Sequence, residues 1–262
     1  MTSPAELLGF AHELADLADG LTLPAFRGHL DVRTKADGTW VTAVDVEVEA
    51  ALRAAIRERF PAHAVLGEEG GREGPADAPT WVIDPIDGTT NFVRGNPIFA
   101  TLIAVQVEGA EVAGVVSAPA LTTRWDGVAA GPAHQDGRRI HVSAIDRLGD
   151  AEVTFGDLVA FHERGLGDLV AAMTVRTSRQ RGYGDFWGHC LVAAGSSDVA
   201  VEAAVELWDL AAVKVVVEAA GGKFTSLDGR ATADGGDALS SNALLHDEVL
   251  MLVAARAASE VS

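Results

Sequence analysis

Apolar residues recur at helical spacing over Ala5–Arg27 and again over Val46–Arg59, so the chain is predicted to open on two amphipathic helices. Between them the turn sequence Ala36-Asp37-Gly38 separates Asp31–Lys35 from Trp40–Ala43, which predicts a hairpin. A polar loop bearing Gly and Pro runs from Gly67 to Pro79 and leads into an unbroken apolar strand, Trp81-Val82-Ile83. Strand-like runs at Phe99–Val107, Glu111–Ala118 and Arg124–Ala129 are spaced like a meander. The stretch Ala130–Arg139 is rich in turn formers, and the softest boundary follows it, near Leu148. This divides the chain into two halves, 1–148 and 149–262, of one compact unit.

The second half alternates. Strands are predicted at Val153–Phe155, Val175–Thr177, Val199–Glu202 and Lys223–Thr225. Helical segments fall at Asp168–Met173, Asp185–Ala194, Trp208–Ala220 and His246–Ala255. Strands alternating with helices imply layered α/β architecture. No internal repeat or low-complexity tract interrupts it.

Charge changes the picture more than composition does. Lys and Arg number 20 against 38 Asp and Glu, leaving a formal net charge of −18. A surface that negative repels phosphate backbones and anionic lipid, which argues against nucleic acid and membranes as partners. The single cysteine, Cys190, excludes an intrachain disulfide, and a buried helix position is its expected place. Glu6, Glu13, Asp16 and Asp19 interrupt the first helix, unlike a secretory signal, and no uncharged run approaches the roughly 20 residues needed to span a bilayer. A cytoplasmic protein is expected.

The candidate chemistry is acidic. The segment Trp81-Val-Ile-Asp84-Pro85-Ile86-Asp87-Gly88-Thr89-Thr90-Asn91-Phe92 delivers Asp84 at a strand end. Pro85 is expected to stop the strand, and a helical turn after it would let Asp84 and Asp87 converge on hard cations. Gly88 and Thr89 would present backbone N–H groups at a helix start, where phosphate is favoured. Asp-x-x-Asp alone equally describes a capped helix. Likewise Gly67-Glu68-Glu69-Gly70 alone reads as a solvated acidic loop, and Asp209 in Leu207-Trp208-Asp209-Leu210 as a charge complementing a helix dipole. The eight histidines lack metal-ligand spacing and read as surface or core residues.

Taken together, the Gly-Glu-Glu loop, the Asp-Pro-Ile-Asp-Gly-Thr segment and the late Trp-Asp resemble the inositol monophosphatase superfamily, in the expected order and over about Leu7 to Val253. The resemblance implies a layered αβαβα sugar-phosphatase fold, a homodimer, and Mg²⁺-dependent hydrolysis of a small phosphate monoester. It assigns Glu68, Asp84 and the Ile86 carbonyl to a first magnesium and Asp84, Asp87 and Asp209 to a second. A third, weaker ion would sit near Glu68. Thr89 would pair with Glu68 to orient the attacking water, and Asp45 would approach the same cluster.

Specificity is read from the alcohol end. Arg181-Gly182-Tyr183-Gly184-Asp185-Phe186-Trp187 places a carboxylate where inositol-specific members carry small neutral residues, and Glu202 matches the family's substrate-hydroxyl carboxylate. Asp185 and Glu202 suit a cationic alcohol, with Phe186 and Trp187 offering stacking or cation–π contact; Arg181, Gly184 and Asn91 complete the substrate set. The alternative for Asp185 is a plain helix N-cap. Asn91-Phe92-Val93-Arg94-Gly95, Tyr183-Gly184-Asp185-Phe186 and Asp228-Gly229 look like the bacterial histidinol-phosphate phosphatase branch, which makes L-histidinol phosphate the expected substrate. Inositol 1-phosphate is the alternative; nucleotide bisphosphatase and fructose-bisphosphatase readings fit less well. Some relatives act as scaffolds on transcription machinery, but here every expected metal ligand is present and the charge opposes RNA.

Overall fold

In the computed structural model, which describes residues 2–36 and 38–259, the chain opens with α1 (Pro4–Ala25), β1 (Val32–Thr34), β2 (Trp40–Thr42) and α2 (Ala43–Arg59). β3 (Ala64–Gly67), β4 (Gly71–Glu73), β5 (Thr80–Asp87), α3 (Thr89–Val93), β6 (Ala100–Val107), β7 (Ala110–Ala118), β8 (Thr123–Val128), β9 (Ala133–Gln135) and β10 (Arg138–Ile140) follow. The remainder is β11 (Glu152–Phe155), α4 (Leu158–Glu163), α5 (Gly167–Arg176), β12 (Arg179–Gly182), α6 (Asp185–Ala193), β13 (Val199–Glu202), α7 (Leu207–Ala219), β14 (Lys223–Thr225), β15 (Ala238–Ser241) and α8 (His246–Ser259).

Two sheets organise these elements. The larger runs β10-β9-β8-β7-β6-β5-β3-β4 and is antiparallel except at the β3–β5 pair. The smaller runs β12-β11-β13-β15-β14, with β11 parallel to both neighbours. Because side chains alternate across a strand, β5 sends Trp81 and Ile83 toward Leu7, Leu14, Leu52 and Ile56 of α1 and α2. It sends Val82 the other way, toward Phe186 and Cys190 of α6 and Leu210, Val213 and Val216 of α7. The smaller sheet covers its outer face with Phe161, Leu169, Met173 and Val249 from α4, α5 and α8. The layers are therefore helix, sheet, helix, sheet, helix. The middle layer, α6 and α7, carries residues of the candidate site. Gly114 lets α7 lie close on β7, since a Cβ there would stand 2.7 Å from the Ala212 carbonyl oxygen.

The chain departs from its sequence pattern at several points. Pro85 does not stop β5: the strand continues to Asp87, with the proline inside a register irregularity between Asp84 and Asp87, where no ladder donor is required. The helix begins only at Thr89, behind Gly88 in the left-handed region (φ 79°). Val175–Thr177 is not a strand. α5 runs through to Arg176, and Val175 sits on its solvent face, 82% exposed. The strand comes next, at Arg179–Gly182, an edge strand whose polar sequence carries no apolar alternation. The Gly67–Pro79 loop contains β4, and Ala130–Arg139 contains the short β9–β10 hairpin. α4 and β15 carried no clear periodicity. Asp37 of the predicted Ala36-Asp37-Gly38 turn lies outside the described residues.

Candidate active site

Seven separated segments converge on one cavity of about 530 Å³. Asp84 and Asp87 arrive at the end of β5, 2% and 6% exposed. The irregularity there turns both carboxylates the same way, although strict alternation would oppose neighbours of odd separation. Asp209 comes from the first turn of α7. Ligand oxygens of Asp84, Asp87 and Asp209 all lie within 4.8 Å of one another. Asp84 Oδ1 accepts the Ile86 N–H at 2.9 Å and Asp87 Oδ2 the Phe186 N–H at 2.6 Å. Asp209 Oδ2 accepts the Glu206 N–H at 2.8 Å, completing a capping box, so its helix-start role and its place in the cluster coexist.

This cluster is electrostatically uncompensated by the protein. Burial, then the charges of Glu68, Asp87, Asp209 and Asp45, pushes the Asp84 carboxyl well above its ordinary range. Burial, then Asp185 and Asp209, does the same to Asp87. Burial raises Asp209 to about 7. Buried carboxylates this close cannot all ionise without a counter-charge. All-oxygen ligands at this separation fit hard divalent cations, and among the described residues theirs is the one group with metal-ligand geometry.

Glu68 lines the same cavity from the turn between β3 and β4. That turn is held from behind by Glu49 of α2, whose carboxylate accepts the Glu69 and Gly70 N–H groups at 2.8 and 2.7 Å and the Arg53 Nε–H at 2.8 Å. A Cβ at Gly67 would stand 2.6 Å from the Glu49 carboxyl carbon, so any larger residue there displaces the carboxylate that holds the turn. Lys35 of the β1–β2 hairpin reaches over to Glu68 and Glu69, at 2.6 and 2.5 Å. The Thr89 hydroxyl does not pair with Glu68. It donates to the Ile86 carbonyl at 2.9 Å and to Asp45 Oδ1 at 3.3 Å, while Asp45 Oδ2 accepts from Thr42. Glu68 is held by Lys35, and Asp45 takes the position beside Thr89. Gly88, Thr89 and Thr90 line the cavity beside the acidic cluster.

Asp157, Asp185 and Glu202 line the same cavity, with Asp185 beside Asp87 and Gly88. Asp185 is not the N-cap of α6; Gly184 is, and Asp185 follows with φ 52°, a left-handed conformation uncommon for a non-glycine residue. The Glu202 carboxylate receives the Asp185 backbone N–H and fits between Gly156 and Gly184, where a Cβ would stand 1.5 and 3.1 Å from its oxygens. Burial, then Asp157, raises Asp185 to about 6; burial, then Asp185 and Asp209, raises Glu202 well above its usual range.

Several expected substrate residues stand elsewhere. Phe186 is 1% exposed and packs its ring in the core with Trp125 and Trp187, at 6.2 and 6.1 Å, so it presents no face for stacking. Gly184 shapes the wall through Glu202 but does not line it. Arg181 lies exposed on edge strand β12, its guanidinium on the Gln180 carbonyl. Asn91 braces its own loop by accepting from Asn96 at 3.1 Å. Asp228, which entered only through the resemblance to the histidinol-phosphate phosphatase branch, is exposed and paired with Arg230 at 2.7 Å. Sequence reasoning missed Asp157, at the start of the unrecognised α4, together with His189, Trp40, Glu206 and Trp208 in the lining. The i, i+4 spacing of Asp185 and His189 on α6 was a usable signal.

The profile of the inositol monophosphatase family matches residues 3–261. The chain is 46% identical to the histidinol-phosphatase of Mycobacterium tuberculosis, over 93% of this chain and 96% of that one. It is 43% identical to the Streptomyces coelicolor histidinol-phosphatase, over 93% and 95%. Among solved structures it superposes on the Thermotoga maritima IMPase with a TM-score of 0.88 at 32% identity, covering 98% and 100% of the two chains. With a carboxylate cluster at the meeting point of the three motifs and a profile match along nearly its whole length, this chain belongs to the inositol monophosphatase family.

Proposed function

We propose that this chain is a Mg²⁺-dependent phosphatase that hydrolyses L-histidinol phosphate to L-histidinol and phosphate. The observation that carries the alcohol assignment is the charge of the cavity. Its lining includes Glu68, Asp84, Asp87, Asp157, Asp185, Glu202, Glu206 and Asp209, and no Lys or Arg among the described residues. Bound metal ions would balance Glu68, Asp84, Asp87 and Asp209, whereas Asp157, Asp185 and Glu202 stand outside that ligand set and call for a cation on the alcohol. The names of the Mycobacterium and Streptomyces relatives support the same substrate.

Asp84, Asp87, Asp209 and Glu68, with the Ile86 carbonyl, would hold two or three magnesium ions, which when bound neutralise the phosphate and acidify water. The chain's own residues do the positioning. Thr89 commits its proton to Ile86 and Asp45, which leaves its oxygen as an acceptor toward the cavity, placed to orient a water. Asp45, raised by burial, is the group behind it able to take up a proton. Glu49 holds the loop that carries Glu68. Glu49→Gln is therefore expected to weaken Mg²⁺ binding by tenfold or more in a calorimetric titration, the range for partners that orient ligands; unchanged affinity would remove Glu49 from the site. The homodimer implied by the family resemblance and the cytoplasmic location expected from the sequence belong to this reading and are tested by sedimentation and cell fractionation.

Turnover of histidinol phosphate against inositol 1-phosphate, with Mg²⁺, decides the substrate. Asp185→Asn sharpens the test, because asparagine tolerates the left-handed backbone and removes only the charge. A charge-assisted hydrogen bond contributes roughly 1.5–3 kcal/mol, so kcat/KM for histidinol phosphate should fall about tenfold to a hundredfold, with little change for inositol phosphate. A constant ratio between the two esters rejects cation recognition by Asp185.

A further inference from the structure

Trp40 opens strand β2 and lines the cavity together with Thr39. Side chains alternate across a strand, so Trp40 shares a face with Thr42. The Thr42 hydroxyl donates to Asp45 Oδ2, and Asp45 Oδ1 accepts from Thr89, another lining residue. These contacts fix the end of β2 against the site. Across the hairpin Trp40 pairs with Thr34, the neighbour of Lys35, which Glu68 and Glu69 hold. The indole therefore stands on an anchored hairpin. Trp40 is half-buried, yet it packs in none of the hydrophobic cores. The other large apolar residues of the lining do: Ile86 and Leu210 are each 1% exposed, and Val205 and Trp208 pack on the core between the larger sheet and α6 and α7. Among the described residues the Trp40 ring has no aromatic or cationic neighbour. A large apolar face is thus left uncovered at the cavity wall. The face of an indole is electron-rich, and in a lining of carboxylates without Lys or Arg it favours a planar group with positive character.

We propose that Trp40 is a specificity-determining residue whose indole face takes the weakly basic azole ring of the alcohol. The inference rests on the histidinol phosphate reading and deepens it. The carboxylates outside the metal set accept from the ammonium, and the indole covers the ring. An amino alcohol without a ring meets the carboxylates alone, and a polyol offers neither a cation nor a planar π face.

The test compares Trp40→Leu, which stays apolar without a π face, with Trp40→Phe, which keeps one. Each is assayed on histidinol phosphate and on alaninol phosphate, which retains the ammonium and lacks the ring, and each is titrated with Mg²⁺ by calorimetry. Trp40→Leu is expected to lower kcat/KM for histidinol phosphate about tenfold, mainly through KM, and to leave alaninol phosphate within about twofold. Trp40→Phe should hold histidinol phosphate within about threefold, and Mg²⁺ affinity should be unchanged in both. Equal losses on the two esters, or weakened Mg²⁺ binding that accounts for the loss, would show that Trp40 only positions the hairpin and would overturn the proposal. Full activity of Trp40→Leu on histidinol phosphate would overturn it too, as would a loss in Trp40→Phe as large as that in Trp40→Leu. If Trp40→Leu does not fold, Trp40→Met takes its place in the same comparison. Wild-type enzyme that prefers inositol 1-phosphate to histidinol phosphate would instead overturn the parent reading, and this proposal with it, before any variant is measured.

Discussion

Asp84→Asn is expected to lower kcat/KM by at least about a thousandfold while making the metal-free protein more resistant to heat. Loss of a group that merely orients a metal ligand costs roughly tenfold to a hundredfold, and Asp84 is itself a candidate ligand at the centre of the cluster. The stability effect has the opposite sign. Burial and the charges of Glu68, Asp87, Asp209 and Asp45 all oppose ionisation of Asp84, so in chelator its carboxylate is a source of strain. Asparagine keeps the shape, and can still accept the Ile86 N–H, without that charge. Turnover with Mg²⁺ and melting in EDTA at pH 8 separate the outcomes. Wild-type turnover in the variant rejects the metal assignment. A variant that loses turnover and melts lower in EDTA assigns Asp84 a structural role.

The second large effect is a dependence of stability on pH that magnesium reverses. The Asp209 pKa is raised to about 7 in the folded chain, against roughly 3.9 for an unfolded aspartate. A carboxyl raised in this way contributes stability that is fully present below the unfolded value and lost as pH rises through the folded one. Asp84, Asp87 and Glu202 shift in the same direction. The chelated protein should therefore melt at progressively lower temperature from about pH 4 to about pH 7 and beyond. Mg²⁺ binds the deprotonated carboxylates and displaces protons, so its stabilising effect should grow over the same window. At a hundredfold excess over its dissociation constant, the ion contributes about 2.7 kcal/mol, roughly 5–10 °C in a chain of this size. Melting curves at pH 5 and pH 8, each with Mg²⁺ and with EDTA, test this. An equal magnesium shift at both pH values, or a chelated protein that gains stability toward pH 8, contradicts it.

What could be read without coordinates was whatever depends on neighbours in the chain. The two opening helices, the β6–β8 meander and α7 declare themselves through periodicity, since one face of each is buried. The three acidic motifs were legible because each is a contiguous run of unusual residues. Their order carried the family resemblance, and with it the layered fold.

Tertiary structure decided the rest, for reasons that no local pattern contains. Edge strand β12 has little apolar face, so its sequence does not mark it. β5 runs past Pro85 because a register irregularity opposite β6 relieves the proline of a ladder bond. Phe186 looked available to a substrate, yet the packing of α6 on the larger sheet turns its ring into the core. Thr89 meets Asp45, from α2, while Lys35, arriving from the hairpin, holds Glu68. Asp157 lies outside the three acidic motifs and reaches the cavity through the assembly of α4 around the smaller sheet. The sequence by itself determined which carboxylates could bind metal, because that depends on residue type and order; the tertiary structure alone decided what surrounds the alcohol, because that depends on which side chains distant segments leave facing one space.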